Sequence, residues 1–404
     1  MDTKKKKTLL SISFLAFLYV VIIESGLIPS DEHRSATYDY AVTLSFIIPM
    51  IIGIFLKGRV IIPKNKESLI AGSLVALWIY GILLGLYLGN NVSYIFTNFA
   101  GMSLYILFFI LYNSRLSVNK TEKALLAISY FTVYITLLCY LDRFVLFTNV
   151  FENIPYFNTG YNSSGISYGS KYLIFINLAY CLYNLFIIKK VKLQYIISIC
   201  VALFDVLLAT DSGGDALAAI FLLSVVFFGF PVATKKGKQR FQYLLLGFGT
   251  YFIFIVIMLL YPDSPLHEIF SESDGGNIVR YAQIASIITE LNFFGNGLGA
   301  IVQNVFGRST TYSVEIIYLN IFHKFGVFAF TILIAYFYTI KKSISLFFSR
   351  KINPMNAIPL GCTGYMLVAL GNPLLFSPAN VVLHVICLMA LMQREPDSNR
   401  YLSC

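Results

Sequence analysis

The chain has 404 residues, of which 57% are hydrophobic and 12% charged, and its mean hydropathy is +0.74. These values exclude an ordinary soluble domain, in which about 25% of the residues are charged. The net charge of +10 does not by itself indicate a nucleic-acid partner, because the positions of the basic residues must decide between nucleic acid and a membrane. We predict an all-α polytopic integral membrane protein that forms a single multi-pass domain over residues 1–404.

Apolar runs recur along the whole chain, each of roughly 20 residues and thus long enough to cross a hydrocarbon core of about 30 Å. The first run follows a basic start, as in a signal peptide, but it is too long and no small-residue cleavage site follows it. We therefore predict a membrane anchor there. In chain order the runs predict twelve transmembrane helices, at 8–28, 39–56, 68–88, 94–112, 124–148, 171–188, 193–209, 216–233, 241–261, 315–340, 355–371 and 379–393.

Most basic residues fall near the two termini and in alternate loops between the predicted helices. Cytoplasmic loops carry an excess of Lys and Arg, so this distribution indicates the orientation of the chain. With the amino terminus in the cytoplasm, 24 of the 30 Lys and Arg residues lie on the cytoplasmic side. Both termini are therefore predicted to be cytoplasmic. Membrane orientation explains the distribution of the basic residues, so the positive charge does not indicate a nucleic-acid partner.

Six basic residues depart from this pattern and are predicted at or near the external face. A basic residue placed against the orientation signal indicates an acidic partner, an anionic lipid or a ligand. For Arg143 and Lys171, a side chain that snorkels to the membrane surface explains the charge equally well. The six residues are Arg34, Arg143, Lys171, Arg280, Arg308 and Lys324.

Two predicted external loops are long, at 149–170 and 262–314. The first is rich in Asn, Gly, Ser and Tyr, a composition that suits hydrogen bonding to sugar hydroxyls but is also that of a solvated connector. The second contains the stretch "NIVRYAQIASIITELNFFGNGLGA" at 277–300 and is the larger of the two.

An amphipathic helix is predicted within this second loop. At helical spacing one arc is polar and the opposite arc apolar, which indicates a helix that lies on the membrane surface or re-enters it. Asp274 or Asn277 is expected to cap its start, and Gly295 to end it. The polar arc consists of Arg280, Gln283, Ser286 and Glu290, and the apolar side of Ile278, Tyr281, Ala282, Ala285 and Ile288.

The charges on this helix oppose its macrodipole. Arg280 lies near the positive amino-terminal end and Glu290 near the negative carboxyl-terminal end, so helix stabilisation does not explain them. In the run "GNGLGA" that follows, Gly297 and Gly299 would let the backbone approach a ligand closely, as they would in any tight turn. No strand is predicted before them, so this is not a dinucleotide-binding motif.

This order of features resembles the O-antigen polymerase and ligase superfamily of bacterial cell-surface polysaccharide assembly. The loop with its arginine and its G-x-G-x-G run is followed by "STTYSVEIIYLNIFHKFGVFAF", in which an acidic residue opens a predicted helix that reads "YL". Ligases of the family resemble "HN-x-YL" here, whereas this chain has Glu315 in the register of that histidine. An acidic residue at this position is more similar to the polymerases.

A second family motif, "S-R-G" at an outer helix end, aligns loosely with "TDSGGDALAAI". Gly213 follows Ser212 here, where the family has arginine, so the motif is incomplete. Asp211 and Asp215 are acidic residues at membrane depth, and for one of them a functional role and a buried polar contact are equally good interpretations.

The resemblance implies a glycosyltransferase whose donor is a growing glycan on undecaprenyl pyrophosphate and whose acceptor is a lipid-linked repeat unit. Negative charge develops on the leaving diphosphate, and guanidinium groups held away from bulk water stabilise such charge. Arg280 and Arg308 are the candidates for this role, and Glu315, with Glu290 second, is the candidate general base. The substrate-binding candidates are Lys171, Gly297, Gly299, His323, Lys324, Glu290 and Asp211.

His323 is predicted two turns after Glu315 on the same helix, where it faces the site or simply packs in the core. The activated donor supplies the energy, so the resemblance implies no ATP, nucleotide sugar or other cofactor. The Cys and His spacings predict no disulfide framework and no metal site.

The resemblance places the protein in the bacterial cytoplasmic membrane, among membrane lipids, with a flippase and a chain-length regulator as pathway partners. Three alternatives stay open. A ligase of the same superfamily is the closest, followed by a lipid-linked oligosaccharide flippase. A flippase should carry basic residues along a central cavity, whereas the polar residues here concentrate in one late loop. A small-molecule transporter comes third, because no paired interrupted helices stand out.

Overall fold

The structure is a computed structural model that describes residues 61–114, 118–148, 150, 160–161, 166–167, 172–209, 213–234, 275–302, 314, 316–349, 351–369 and 373–394. The predicted helices at 8–28, 39–56 and 241–261 lie outside the described residues. So do most of the predicted loop at 149–170 and, within the predicted loop at 262–314, residues 262–274 and 303–313.

The described residues are helical except for connecting segments and one short hairpin, in which β1 (Gly160–Tyr161) pairs antiparallel with β2 (Ile166–Ser167). Three helices end in π-helical turns, at Leu141–Leu146, Tyr183–Ile187 and Asp205–Ala209. The α-helices of the first part of the chain are α1 (Lys66–Tyr87), α2 (Val92–Thr97), α3 (Leu107–Ser114), α4 (Val118–Tyr140), α5 (Ile174–Leu182), α6 (Leu193–Phe204) and α7 (Gly213–Thr234).

In the second part of the chain, short 3₁₀ turns separate several of the helices. Such turns occur at Gly326–Ala329, Pro354–Asn356 and Pro373–Phe376. The α-helices are α8 (Gly275–Thr289), α9 (Ile317–Phe325), α10 (Phe330–Phe347), α11 (Ala357–Cys362), α12 (Gly364–Val368) and α13 (Pro378–Arg394).

The helices α5, α11 and α13 form the centre of the bundle. Nearly every described side chain of these three helices is buried, including the whole stretch from Ala379 to Leu391. α5 packs against α11, α4 and α6, while α13 packs against α11, α10 and α3. Their sequences are apolar on all sides, as expected of helices that are surrounded by other helices.

The predicted class of helical membrane protein agrees with this architecture. Among the described residues, three helical segments are long and apolar enough to cross a membrane: Lys66–Tyr87, Val118–Val145 and Ile317–Phe347. Five further apolar helices are shorter, and they fall at the predicted positions 94–112, 171–188, 193–209, 216–233 and 379–393. The protein is thus an apolar helical bundle of the kind that is embedded in a membrane.

Three of the predicted helices are not continuous. Residues 94–112 form α2, a 3₁₀ turn at Ala100–Ile106 and α3, because Phe99 adopts a left-handed conformation with φ of 55°. Within the predicted helix at 355–371, the described residues 355–369 form the end of a 3₁₀ turn and the short helices α11 and α12. The predicted helix at 315–340 is broken at Gly326, where φ is 57°. Apolar runs show that these segments are buried, but the breaks depend on local backbone conformation and on packing between helices.

One buried hydrogen-bonded network joins three of the helical segments. The His384 ring on α13 lies 2.7 Å (Nδ1) from the Tyr105 hydroxyl and 2.9 Å (Nε2) from the Thr339 hydroxyl. The Tyr105 hydroxyl also lies 3.2 Å from the hydroxyl of Tyr336. All the polar atoms of the His384 ring therefore have partners, and the network serves the packing of α10, α13 and the 3₁₀ turn at Ala100–Ile106.

We expect Tyr105→Phe to lower the free energy of unfolding by about 1–3 kcal/mol, because it leaves the buried Nδ1 of His384 without a partner. Reversible unfolding in mixed detergent micelles measures this change. Tyr112→Phe on the adjoining α3 is the control and should stay within about 0.5 kcal/mol of wild type. Equal losses for both variants would contradict a structural role for the network.

Candidate functional site

The loop at 290–302 is held between two helices at the point where α9 ends. α9 ends at Phe325 and is followed by Gly326, so the carbonyl groups of its last turn are open to partners outside the helix. The N–H groups of Asn296 and Gly297 donate to the carbonyls of His323 and Lys324, at 2.9 and 3.0 Å. On the other side, the Leu298 N–H donates to the carbonyl of Gly81 on α1, at 2.9 Å.

Glycine is required where this loop meets α1. Gly297 has a φ of 72°, and a Cβ atom added to it would lie 2.6 Å from the Cα of Gly85. Such a distance is far below normal van der Waals contact, so the two backbones touch only because both residues lack side chains. Gly299 has a φ of 74°, and a Cβ atom added to it would lie 2.7 Å from the backbone nitrogen of Ile95 on α2. The close approach made by both predicted glycines is thus to neighbouring helices, and a ligand contact at either stays a prediction.

Asparagine side chains complete the attachment of the loop. The Asn90 amide, just after α1, donates to the carbonyls of Asn296 and Leu298, at 2.8 and 2.9 Å. The Asn296 amide donates to the carbonyl of Glu290, at 2.9 Å. These bonds satisfy loop carbonyls that would otherwise be unpaired, and they fix the position of Glu290 at the head of the loop.

The predicted end of the amphipathic helix is wrong. α8 ends at Thr289, and Gly295 lies six residues further on, in the loop. The chain turns earlier because Asn292 accepts two hydrogen bonds, from the Gly295 N–H at its carbonyl and from the Phe294 N–H at its side chain. Gly295 has a φ of 82° and serves a different contact: a Cβ atom there would lie 2.6 Å from the nitrogen of Gly326.

The polar arc of α8 faces the protein and the apolar arc faces outward. Gln283 is buried and Arg280 is half-buried on α8, which packs against α9, and Glu290, the first residue after α8, is half-buried as well. On the opposite side, Tyr281 and Ile288 are 45% and 55% exposed. An exposed apolar arc is what a helix at a membrane surface presents to lipid, so the charged residues lie between α8 and the bundle.

Three of the predicted site residues come together where α9 meets this loop. The Nε2 atom of His323 lies 3.3 Å from a carboxylate oxygen of Glu290. The Lys324 side chain is fully buried, its ammonium group donates to the carbonyl of Ala300, and its charge interacts with that of Glu290. A carboxylate, an imidazole and an ammonium group thus share one partly buried site at the loop.

Two polar groups in this site have no hydrogen-bond partner in the part of the chain that the structure describes. They are the side-chain amide of Asn320, which is fully buried, and the Nδ1 atom of His323. Burying a donor or acceptor without a partner costs about 1–3 kcal/mol, so proteins rarely leave such groups unpaired. The two residues are three positions apart on α9, which places them on the same face.

Sequence reasoning did not identify Asn320, Asn90 or Asn296 as part of the site. For Asn320 a signal was present, because it precedes Lys324 by four residues and shares its helix face. The amides of Asn90 and Asn296 carry no comparable signal, since their roles arise only from contacts between distant segments.

Four predicted site residues lie outside the described residues: Glu315, Arg308, Lys171 and Asp211. Asp215, the neighbour of Asp211 in the incomplete motif, is buried at the start of α7. Arg280 lies half-buried on α8. The structure therefore brings together Glu290, His323 and Lys324 from the predicted set, and it shows buried Asn320 on the same face of α9 as His323.

Taken together, these features are those of a helical membrane protein with a polar site between a late loop and a broken helix. A scan against protein-family models and a search of curated proteins found no match to the chain. Any function is therefore inferred from the residues of the chain itself.

Proposed function

We propose that the protein polymerises undecaprenyl-pyrophosphate-linked oligosaccharide repeat units into a surface polysaccharide, either O antigen or capsule. It transfers the growing glycan from its lipid diphosphate to a sugar hydroxyl of a new repeat at the outer face of the bacterial cytoplasmic membrane. In this proposal twelve transmembrane helices cross the membrane with both termini in the cytoplasm, and the loops at 149–170 and 262–314 are external.

The observation that carries the proposal is the polar site formed by Glu290, His323, Lys324 and Asn320. An apolar bundle places charged and hydrogen-bonding groups in its interior only at a cost, so such groups indicate a site by default. Glu290 and His323 form an acid–base pair, which is what the deprotonation of a sugar hydroxyl requires. The loop that carries Glu290 is held rigidly by backbone hydrogen bonds to α1 and α9, as a preorganised site requires.

The reaction also needs positive charge beside the leaving diphosphate. Arg280 is proposed for this role because it lies half-buried on α8, which packs against α9, and Arg308 is proposed with it. A guanidinium group presents a planar pair of N–H donors that matches phosphate oxygens. Lys171 and Asp211 are proposed to contact substrate, while the contacts of Lys324 favour a role in holding the loop.

The proposed partners follow from this chemistry. Donor and acceptor are both lipid-linked glycans, so they reach the site from the membrane. A flippase of the same pathway must deliver each repeat to the outer face, and a chain-length regulator is a further proposed partner. Cofactors are not part of the proposal, because the diphosphate bond of the donor supplies the energy.

Arg280→Ala is expected to abolish the polymer ladder in cells that lack the native protein. Removing one donor from a site that stabilises developing negative charge lowers a rate by about 10²–10³-fold. The measurement is complementation at matched expression, with surface glycans resolved by length on a gel. Arg280→Lys keeps the charge without the planar donors and should restore only short chains. Lys341→Ala is the control. It removes an exposed charge on α10 and should restore the full ladder.

Each other outcome of this complementation has a defined meaning. If cells without the protein still make full-length polymer on its lipid carrier, the protein is a ligase. If single repeats accumulate on the cytoplasmic side, it is a flippase. If Arg280→Ala restores the wild-type ladder, α8 does not contact the diphosphate.

A further inference from the structure

The tautomer of His323 follows from its contact with Glu290. The Nε2 atom faces a carboxylate oxygen at 3.3 Å, and beside a carboxylate the nitrogen that faces it carries the proton. We therefore assign the proton of the neutral ring to Nε2. The lone pair of the ring is then on Nδ1, which is buried and accepts no hydrogen bond in the part of the chain that the structure describes.

This arrangement differs from that of a histidine whose role is packing. His384 is the comparison within the same protein, because both of its ring nitrogens have hydroxyl partners at 2.7 and 2.9 Å. In His323 one nitrogen is held by a carboxylate and the other is left with an unused lone pair. In a general base with an orienting group, the carboxylate holds one nitrogen of the imidazole and the opposite nitrogen accepts the proton. His323 and Glu290 match this arrangement.

We propose that His323 is the general base of the glycosyl transfer and that Glu290 is its positioning residue, an inference that rests on the proposed polymerase function. The acceptor hydroxyl gives its proton to Nδ1 as its oxygen bonds to the anomeric carbon of the donor. The bond from that carbon to the diphosphate breaks, and its electron pair leaves on undecaprenyl pyrophosphate. The imidazolium that forms is balanced by the Glu290 carboxylate until the proton is released to solvent.

Asn320 is assigned to the same acceptor. Its amide offers a donor and an acceptor, both buried and unpaired among the described residues, three positions before His323 on the same face of α9. A sugar presents adjacent hydroxyl groups that can each donate and accept a hydrogen bond. The pair therefore matches two hydroxyls of one sugar, with the reacting one at Nδ1 and a neighbour at the amide.

The other charged groups beside His323 are less suited to the role of base. Lys324, the next residue on α9, is occupied as a donor to the carbonyl of Ala300. Glu290 is occupied by His323. The sequence alone favours Glu315 as the base, whereas this proposal assigns that role to His323 on its contact with Glu290.

The test measures chain extension by the purified full-length protein in lipid nanodiscs. The substrate is the pool of lipid-linked single repeats extracted from cells that lack the protein. His323→Ala is expected to be slower than wild type by about 10²–10⁴-fold, the usual contribution of a general base. Added imidazole should raise the rate of this variant at least about tenfold, because it replaces the missing base in the space that the side chain leaves.

His384→Ala is the matched control, since it also removes a buried imidazole but one whose role is structural. Imidazole should not change its rate. Glu290→Gln should lower the rate without any response to imidazole, because the base is present but poorly oriented. Asn320→Ala should raise the KM for the acceptor more than it lowers kcat.

The possible results separate this inference from the function on which it rests. Wild type that extends chains, together with His323→Ala that is at least about 100-fold slower and responds to imidazole, supports the base assignment. A His323→Ala rate within threefold of wild type overturns it and leaves the polymerase in place. So does a slow variant that imidazole does not rescue, or a Glu315→Gln variant that alone abolishes extension. If wild type itself fails to extend the repeats, the proposed function is wrong, and the base assignment with it.

Discussion

Arg394→Ala is expected to lower the free energy of unfolding by about 3–5 kcal/mol, the usual cost of removing one partner from a buried ion pair. Arg394 ends α13, and one of its guanidinium nitrogens contacts the carboxylate of Glu122, which is fully buried in α4. Its other terminal nitrogen donates to the carbonyl of Met355 at 2.8 Å. The single side chain thus joins α4, α13 and the 3₁₀ turn at Pro354–Asn356, and its loss leaves a buried carboxylate unpaired.

Reversible unfolding in mixed detergent micelles measures this effect. The double variant Glu122→Leu with Arg394→Leu should recover a large part of the loss, because no buried charge then remains without a partner. Lys351→Ala is the control, since Lys351 is exposed near the same end of the bundle and its removal should cost no more than about 0.5 kcal/mol. A loss for Arg394→Ala as small as that of the control would show that the pair adds nothing to stability.

Gly297→Ala is expected to detach the loop at 290–302 from α1 and to abolish polymer formation. The new Cβ atom would lie 2.6 Å from the Cα of Gly85, and neither backbone can move without breaking the bond from the Leu298 N–H to the Gly81 carbonyl. The left-handed backbone adds roughly 1–2 kcal/mol for any residue with a side chain. Overpacking adds about 1–3 kcal/mol more.

Gly89→Ala separates these two contributions. Gly89 has a φ of 74°, almost that of Gly297, but an added Cβ atom would have no other atom within 4 Å. Its variant should therefore lose only the roughly 1–2 kcal/mol of backbone strain and should keep the full polymer ladder. Unfolding measurements and complementation on the same two variants give both readouts. If Gly297→Ala behaved like Gly89→Ala in both, the contact between the loop and α1 would not matter for activity.

The helices of this protein were predictable because each depends on local composition. A run of apolar residues stays helical in a bundle or in a membrane, since the backbone must satisfy its own hydrogen bonds wherever water is excluded. The predicted helices at 68–88 and 193–209 accordingly match α1 and the segment formed by α6 with its π-helical turn to within a few residues. The breaks at Phe99 and Gly326 were not predictable, because positive φ at these positions depends on their neighbours in space.

The amphipathic pattern of α8 was predictable, but the direction in which it faces was not. Helical periodicity places Arg280, Gln283 and Glu290 on one arc whatever surrounds the helix. Which arc is buried depends on what packs against it. In this protein the polar arc meets α9 and the apolar arc is exposed, the reverse of a helix on the surface of a soluble protein.

By itself, the sequence determined the class of protein, the approximate positions of the apolar helices that the structure describes and the charged residues that an apolar bundle must account for. These properties depend on composition and on spacings of a few residues, which hold before any tertiary contact forms. Only the tertiary structure decided that Glu290, at the head of the loop, lies against His323, more than thirty residues later, while Asn320 and one nitrogen of His323 are left unpaired. Such pairs depend on how segments distant in the sequence meet in space. In this protein they meet through close backbone contacts between Gly297 and α1 and between Gly295 and Gly326, which no local sequence pattern predicts.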